Sequence, residues 1–256
     1  MISKAKIKYL NSLAHKKFRD ADNVFIAEGE RLVDDLLNCF EPKIVATNTD
    51  WIAQNRARLS NSQCEIIEVT DEEMRRITQL STPSPVFCVF RRDEVATLDE
   101  VRKNGGLVLA LDRVQDPGNI GTIIRTADWF GVIYILCSHE TADIYNPKVI
   151  QSTMGAIGRV DVIYCDLVEV LASLKQEGWS VNGTFLDGGN IYQSELRNEK
   201  SVVVMGNEGN GISDEVKKLV NNRLLIPSYP AGEITSESMN VAIATAIVLA
   251  EYRRRV

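Results

Sequence analysis

The sequence predicts an α/β protein with a parallel sheet, and three observations support this fold class. Continuous apolar runs, such as LVLALD at 107–112, are typical of parallel strands that are buried on both faces. Such runs end in polar loops instead of tight hairpins, as in SVVVMGNEGNGIS at 201–213. Segments of helical periodicity alternate with the runs, as βαβ units require. Because ligands of open parallel sheets bind beyond the carboxyl ends of the strands, we expect the loops there to carry the function.

The first ninety residues are predicted to form a compact α/β domain. A helix at about 3–19 places Ile7, Leu10 and Leu13 on one stripe and its lysines on the other faces. A strand, a glycine turn and a helix follow in VFIAEGERLVDDLL. The remaining predicted elements are strands at 43–47, 65–69 and 86–90 and helices at about 50–59 and 71–80, the last capped by Asp71.

A domain boundary is predicted at 93–106, where apolar periodicity is lost, charge increases and two glycines follow. We therefore expect a first domain at 1–92, a linker at 93–106 and a second domain at 107–256. The second domain begins with the strand 107–112, then a loop and a helix from about Ile120 that stops at Gly131. It ends with a short apolar run at 224–226 and a long apolar helix at about 239–254.

Composition limits the possible functions. The chain has 256 residues and a formal net charge of −6, which excludes a uniformly basic nucleic-acid binder but not a local basic surface. Within residues 1–20, six basic side chains stand against Asp20 alone, and they are either phosphate contacts or a solvated helix face. These candidate RNA contacts are Lys4, Lys6, Lys8, Lys16, Lys17 and Arg19.

Cysteines and histidines give no sign of a metal site. The five cysteines form no C-x-x-C pair, which is typical of reduced cysteines in a cytosolic protein. Neither His15 nor His139 has a partner at ligand spacing, so we expect no metal and no histidine-centred triad. The amino terminus lacks the apolar core of a signal peptide, and no apolar run reaches membrane-spanning length. We therefore expect a cytoplasmic protein without a membrane partner.

Three polar constellations in the second domain are candidates for chemistry. Taken singly, each has a structural explanation as a helix cap or a solvated loop. No G-x-G-x-x-G opens a helix and no lysine-bearing phosphate loop is present, so a dinucleotide fingerprint and a nucleotide triphosphatase are disfavoured. The three constellations are Asn119-x-Gly121-x-x-x-Arg125 with Phe130-Gly131, Gly206-Asn207-Glu208-Gly209-x-Gly211, and Glu237-Ser238-Met239-Asn240-Val241.

Together these constellations resemble the three motifs of the SpoU family, the TrmH-like RNA ribose 2′-O-methyltransferases of the SPOUT superfamily. The patterns N-x-G-x-x-x-R-x-A-x-x-F-G, G-N-E-G-x-G and I-P…S-x-N-V each occur once, in family order, within about 107–254. Residues 1–90 look like the ribosomal-protein-like substrate-binding domain that many members carry. The resemblance implies a C-terminal α/β-knot domain with a parallel sheet and a deep trefoil knot, preceded by a smaller α/β domain.

The resemblance also implies roles for individual residues. Arg125 matches the arginine assigned to activating the ribose 2′-hydroxyl. A guanidinium with a pKa above about 12 is a poor base, so our hypothesis is that Arg125 orients the target phosphate and stabilises the developing alkoxide. The matching catalytic companions are Asn119, Glu208, Ser238 and Asn240. The positions that match the S-adenosylmethionine pocket are Gly206, Asn207, Gly211, Ile226 and Met239.

This chain departs from the family pattern in two places. The loop between Ile226 and Ser238 is several residues longer than usual, which leaves its internal alignment open. Ala242 stands where many members have a serine, and we expect no loss of activity from that change.

Partners follow from the same resemblance. Family members normally form homodimers through the knotted domain, and the last helix is apolar on more than one face, as a subunit interface requires. A fully internal helix in a monomer is the alternative. The two-domain arrangement favours 23S ribosomal RNA as substrate. A transfer-RNA methyltransferase and a catalytically silent ribosome-assembly factor remain alternatives. A nicotinamide oxidoreductase is disfavoured, because it would need a glycine fingerprint that residues 111–121 lack.

Overall fold

The computed structural model describes residues 2–59, 63–230, 233 and 236–255. Its helices are α1 (Lys4–Ser12), α2 (Lys16–Asp22), α3 (Glu30–Leu36), α4 (Thr49–Leu59), α5 (Asp71–Arg75), α6 (Leu98–Asn104), α7 (Pro117–Trp129), α8 (Pro147–Thr153), α9 (Leu167–Gln176), α10 (Asp214–Lys217) and α11 (Val241–Arg254). Its strands are β1 (Val24–Glu28), β2 (Pro42–Thr47), β3 (Glu65–Glu68), β4 (Val86–Arg91), β5 (Leu107–Asp112), β6 (Tyr134–Cys137), β7 (Asp161–Tyr164), β8 (Ser180–Asn190), β9 (Ser201–Gly206) and β10 (Asn222–Leu225).

The chain forms two compact units. Unit 1 comprises Met1–Glu94 and Asp143–Gly158, and unit 2 comprises Val95–Ala142 and Arg159–Val256. Part of the range predicted as a linker, 93–106, is helical, because Thr97 and Glu100 form a capping box at the start of α6 and Val101 is fully buried. The division at 1–92, 93–106 and 107–256 stays a prediction.

Unit 1 is built on a four-stranded mixed sheet in the order β1-β4-β2-β3. Strand β4 runs antiparallel to β1 and β2, whereas β3 runs parallel to β2. One face carries a core that includes Leu10 and Leu13 from the amino-terminal helical segment. Helix α8, from the segment Asp143–Gly158, packs against β1. Helix α5 is capped by Thr70, which forms a capping box with Glu73, and not by Asp71 as the sequence suggested.

The helix predicted at 3–19 divides into α1 and α2, and Arg19 explains the break. Its Nη1 donates to the carbonyl oxygens of Leu13 and Ala14, at 2.8 Å each, where α1 has ended. Its Nη2 lies 2.6 Å from the carboxylate of Asp143. The residue is 1% exposed. The prediction that Arg19 contacts RNA phosphate is therefore wrong, because its guanidinium is buried and already bound inside unit 1.

Unit 2 contains a fully parallel six-stranded sheet in the order β10-β8-β9-β5-β6-β7. The central strands β5 and β9 are almost entirely buried, as the apolar runs predicted. The predicted α/β fold class with a parallel sheet is confirmed. Helix α11 contacts α7 and β9. None of the helices within the described residues is long and apolar enough to cross a membrane.

The carboxyl end of α11 is fixed by a cluster of arginines around a buried acid. Glu251 is 4% exposed and accepts hydrogen bonds from Arg254 Nε at 2.8 Å and Arg255 Nε at 2.7 Å. Arg255 also donates to the carbonyl oxygen of Ile191 at 2.9 Å. Arg253 Nε donates to the carbonyl oxygen of Phe130 at 2.7 Å. These bonds hold the last helix against the segments that follow α7 and β8.

This cluster predicts an acid-sensitive contribution to stability. The hydrogen bonds from Arg254 and Arg255 lower the pKa of Glu251 from 4.5 to about 2. Because the folded-state pKa lies below the unfolded one, the contribution is complete above about pH 5 and is lost as the pH falls toward 2. We expect the difference in Tm between the wild type and Glu251→Gln to be constant above pH 5 and to shrink below it. A difference that stays constant down to pH 2 would contradict this assignment.

Candidate active site

The candidate site lies at the carboxyl ends of two neighbouring strands in unit 2. In the parallel pair β5 and β9, the last residues Asp112 and Gly206 face each other in register. The loop after β5 leads into α7, and the loop after β9 carries Asn207 and Glu208. Two of the three constellations therefore meet because the sheet places their strands side by side.

A chain of hydrogen bonds joins all three constellations. The carboxylate of Glu208 accepts from Asn119 Nδ2 at 3.0 Å and from the backbone N–H groups of Gln115 and Asp116 at 3.3 and 3.2 Å. Asn119 Oδ1 accepts from Asn240 Nδ2 at 2.9 Å. The structure thus brings Asn119, Glu208 and Asn240 together, although Asn240 lies 121 residues after Asn119.

The donor-to-acceptor direction of this series of hydrogen bonds is fixed at both ends. An ionised carboxylate only accepts hydrogen bonds, so Asn119 must turn its amide nitrogen toward Glu208 and its oxygen toward Asn240. Asn240 is the N-cap of α11, and its Oδ1 accepts from the backbone N–H groups of Ala242 and Ile243. Its nitrogen is therefore free to donate to Asn119. The two amides are held in one orientation by an acid and a helix terminus.

The pKa of Glu208 agrees with this arrangement. Partial burial alone would raise it, but the hydrogen bonds from Asn119 and from the backbone lower the pKa below its usual value. Glu208 is therefore ionised at neutral pH. It acts as a hydrogen-bond acceptor and not as a proton donor.

Local sequence places Asn119 at the amino end of α7. Asp116 is the N-cap, and its carboxylate accepts from the backbone N–H of Asn119 at 2.8 Å. Pro117 occupies the first turn, where its missing N–H costs nothing. Asp116 and the buried Asp112, whose carboxylate accepts from Ser213 N at 2.6 Å, were not predicted as site residues. The sequence Asp116-Pro117 could have predicted the start of α7, because an acid followed by proline is typical of a helix N-terminus.

Asn207 builds the loop after β9. Its Nδ2 donates to the carbonyl oxygen of Arg113 at 2.7 Å, and its Oδ1 accepts from the N–H groups of Gly209 and Asn210. Its backbone pairs with that of Gly211. The side chain of Asn207 is thus bound inside the loop through both its oxygen and its nitrogen, and its predicted cofactor contact stays a prediction.

Gly206 and Gly211 are required by the same tight loop. A Cβ on Gly206 would lie 2.3 Å from backbone atoms of Gly211 and Ile212, a distance that no side chain can adopt. Gly211 has a φ of +67°, which favours glycine. The loop therefore requires glycine at both positions, and the predicted cofactor role of these glycines stays a prediction.

Four other predicted residues lie outside the hydrogen-bond chain. Arg125 is exposed on α7, and in the described part of the chain it makes no hydrogen bond or ion pair. Ser238 is likewise exposed without a partner among the described residues. Ile226 is half-buried just after β10, and Met239 is 47% exposed. The structure therefore leaves a guanidinium, a hydroxyl and apolar surface available to ligands.

Comparison with known proteins assigns the family. Residues 106–250 match the SpoU rRNA Methylase family, and residues 4–88 match the MRM3-like substrate binding domain. This chain belongs to the SpoU rRNA methylase family. It is therefore an S-adenosylmethionine-dependent RNA methyltransferase, as the motifs predicted.

Several relatives match this chain over almost its whole length. The chain is 33% identical over 253 residues to the 23S rRNA (guanosine(2553)-2′-O)-methyltransferase RlmP of Bacillus subtilis, covering 97% of this chain and 96% of that protein. The AdoMet-bound rRNA methyltransferase from Sinorhizobium meliloti is 29% identical with a TM-score of 0.87, covering 100% and 97% of the two chains. A TrmH-family structure from Porphyromonas gingivalis is 37% identical with a TM-score of 0.84, covering both chains completely.

The residues present fit this cofactor. An adenine needs apolar surface for its faces and hydrogen-bonding groups for its edge. The exposed Met239 and half-buried Ile226 would supply the first, and the exposed hydroxyl of Ser238 would contribute to the second. No charged side chain is needed for that part of the ligand.

The hydrogen-bond chain predicts a large effect of Glu208→Gln. A glutamine amide cannot accept from Asn119 and from both backbone N–H groups at once, so the three loops lose their common anchor. We expect methyl transfer to fall about 100-fold, as misplacement of catalytic groups by about 1 Å does.

The measurement is the rate of transfer to RNA, with thermal unfolding as the check on folding. Glu215→Gln is the matched control, because Glu215 is exposed on α10 and has no partner among the described residues. A wild-type rate in Glu208→Gln would contradict the role of Glu208.

Proposed function

We propose that this protein transfers the methyl group of S-adenosylmethionine to a ribose 2′-hydroxyl of 23S ribosomal RNA. The observation that carries the proposal is the joining of all three motif loops by Glu208, Asn119 and Asn240 at one end of the sheet. The relative from Bacillus subtilis, which is matched over nearly its whole length, supports the choice of RNA.

Arg125 is proposed to act on the ribose and its phosphate. When bound, the cofactor would supply an electrophilic methyl group: the O–C bond would form as the S–C bond breaks, S-adenosylhomocysteine would leave, and the hydroxyl proton would pass to solvent water. A guanidinium does not accept that proton at neutral pH, but it stabilises the negative charge that develops on the oxygen. Because Arg125 has no partner among the described residues, its full set of N–H donors is available for this task. Ser238 is proposed to contact the same ligands through its free hydroxyl.

Substrate RNA is proposed to contact the exposed lysines of unit 1. Lys4, Lys8 and Lys17 are exposed, whereas Lys6 is paired with Glu65 at 2.6 Å and Lys16 with Asp20 at 2.7 Å. Exposed pairs of this kind contribute little to stability and can be exchanged for phosphate. We also propose a cytoplasmic location, because the five cysteines form no C-x-x-C pair in the sequence.

A homodimer is proposed through the outer surfaces of α7 and α11, which contact each other. Trp129 is 85% exposed at the end of α7, and Ile243 is 57% exposed on α11. Ile133, just beyond α7, is 45% exposed. Exposed large apolar side chains on two packed helices are typical of a protein interface, and a second copy of this chain would cover them.

A trefoil knot in unit 2 is part of the same proposal. Strand β10 lies at one edge of the sheet, yet α11, which follows it, returns to contact β9 and α7. Such a return is what threading of the last segment through a loop requires.

The proposed reaction is tested by transfer of radiolabelled methyl groups from S-adenosylmethionine to RNA from a strain that lacks this gene. We expect alkali-resistant dinucleotides in 23S ribosomal RNA, and an at least 100-fold slower reaction in Arg125→Lys, because an ammonium lacks the planar donor pair. Cofactor binding by the variant should be unchanged. Label in transfer RNA would show that transfer RNA, and not 23S ribosomal RNA, is the substrate. No transfer to any RNA would overturn the proposed reaction.

The dimer is tested by sedimentation of Trp129→Glu. Burying an unpaired carboxylate in an apolar interface is costly, so we expect the variant to sediment as a monomer at concentrations where the wild type is a dimer. Val168→Glu is the matched control, because Val168 is 39% exposed on α9. A dimeric Trp129→Glu protein would place the interface elsewhere.

A further inference from the structure

Unit 1 contains a cavity that the proposed reaction does not use. It has a volume of about 290 Å³ and lies beyond the carboxyl ends of β2 and β3. The loop that leads into β4 closes it from the other side, because β4 runs antiparallel to β2. Cavities of about 300 Å³ are at the lower end of small-molecule sites, so this one fits a single compact group.

The loop over the cavity, Thr78–Pro85, is fixed at both ends by buried side chains. The carboxylate of Glu28, which is 4% exposed, accepts from the backbone N–H of Gln79 at 2.8 Å and from the hydroxyl of Thr78. The hydroxyl of Thr47, which is fully buried, donates to the carbonyl oxygen of Pro85 at 2.8 Å. The cavity is therefore preformed, since the loop that forms one of its walls is hydrogen-bonded to β1 and β2.

The lining suits a flat ring with a polar edge and a nearby anion. Pro83 supplies apolar surface at the cavity, and the core residues Val69 and Met74, which are 5% and 4% exposed, line its floor. Asp71 and Arg75 stand one turn apart on α5 with exposed side chains. Within the described residues neither of these two makes a hydrogen bond or ion pair, so a free carboxylate and a free guanidinium border the same cavity.

These features match the recognition of single-stranded RNA. Unstacked bases are bound between apolar or aromatic surfaces, and carboxylates accept hydrogen bonds from their amino groups. Arginines bind the adjoining phosphates. Helix α5 is also tied to the basic helix α1, because Asn11 Nδ2 donates to the carbonyl oxygen of Arg76 at 2.9 Å and Ile2 N donates to Glu73 at 2.9 Å. The cavity thus adjoins the helix that carries Lys4 and Lys8.

We propose that this cavity binds one unpaired nucleotide of the RNA substrate. The base lies against Val69, Met74 and Pro83, its amino group donates to Asp71, and its phosphate contacts Arg75. The inference rests on the proposed function, because it assigns part of the RNA recognition to a defined site in unit 1.

The test fills the cavity and measures RNA binding directly. The probe is ribosomal RNA from a strain that lacks this gene, and the full-length protein is compared with Thr82→Trp and Gln54→Trp. Thr82 is exposed at the cavity, whereas Gln54 is exposed on α4 outside its lining. We expect Thr82→Trp to weaken RNA binding at least 10-fold and Gln54→Trp to change it less than twofold, with S-adenosylmethionine binding unchanged in both.

A second pair of variants tests the phosphate contact without filling the cavity. Arg75→Ala should lower the slope of log K against log salt by about 0.7, the value for one phosphate of a single strand. Arg76→Ala is the matched control, because Arg76 is the neighbouring exposed arginine and does not line the cavity. Wild-type affinity in Thr82→Trp, or equal slopes for both arginine variants, would overturn the proposal.

The binding measurement also separates this inference from the proposed reaction. Wild-type protein that binds the RNA without methylating it would overturn the reaction, while the variants still decide the role of the cavity. Wild-type protein that methylates RNA and is indifferent to Thr82→Trp would overturn the cavity alone. Wild-type protein that does not bind the RNA would overturn both.

Discussion

The candidate active site depends on one ionised carboxylate. Glu208 accepts hydrogen bonds from Asn119 and from the backbone of the loop before α7, and so joins the ends of β5 and β9. Because it accepts and cannot donate, it also decides which way Asn119 faces. Asn240 then completes a series of bonds that ends at the amino terminus of α11. A negative charge at one end and helix N–H groups at the other keep the series in a single orientation.

The position of Asn240 depends in turn on the far end of the same helix. Arg253 and Arg255 hold the carboxyl end of α11 to the segments after α7 and β8. The buried Glu251 accepts a hydrogen bond from Arg255 and so orients its guanidinium. A helix of 14 residues is a stiff connection over this length. Contacts at its end are therefore part of the placement of the site, although no reacting group lies near them in sequence.

Unit 1 shows how a basic sequence can be misread as a basic surface. Arg19 lies in a run of lysines, but it closes the end of α1 and pairs with Asp143 inside the unit. The basic side chains that remain as candidate RNA contacts are therefore fewer than the sequence indicated. The nucleotide site that we propose at the cavity bordered by Asp71 and Arg75 would add shape and hydrogen bonding to that charge, and these properties distinguish one nucleotide from another.

Sequence reasoning predicted the fold class, the central strands at 107–112 and 201–206, and the family, because periodicity and motif spacing are local properties. It also supplied Asn119, Glu208 and Asn240 as candidates. Only the tertiary structure decided that these three form one bonded series while Arg125 stays apart from it. The hydrogen bonds concerned join residues that are far apart in sequence. The separation is 89 residues for Asn119 and Glu208 and 121 for Asn119 and Asn240. For the buried pair of Arg19 and Asp143 it is 124. Burial and pairing over such separations depend on how the sheet and helices pack, which no local pattern contains.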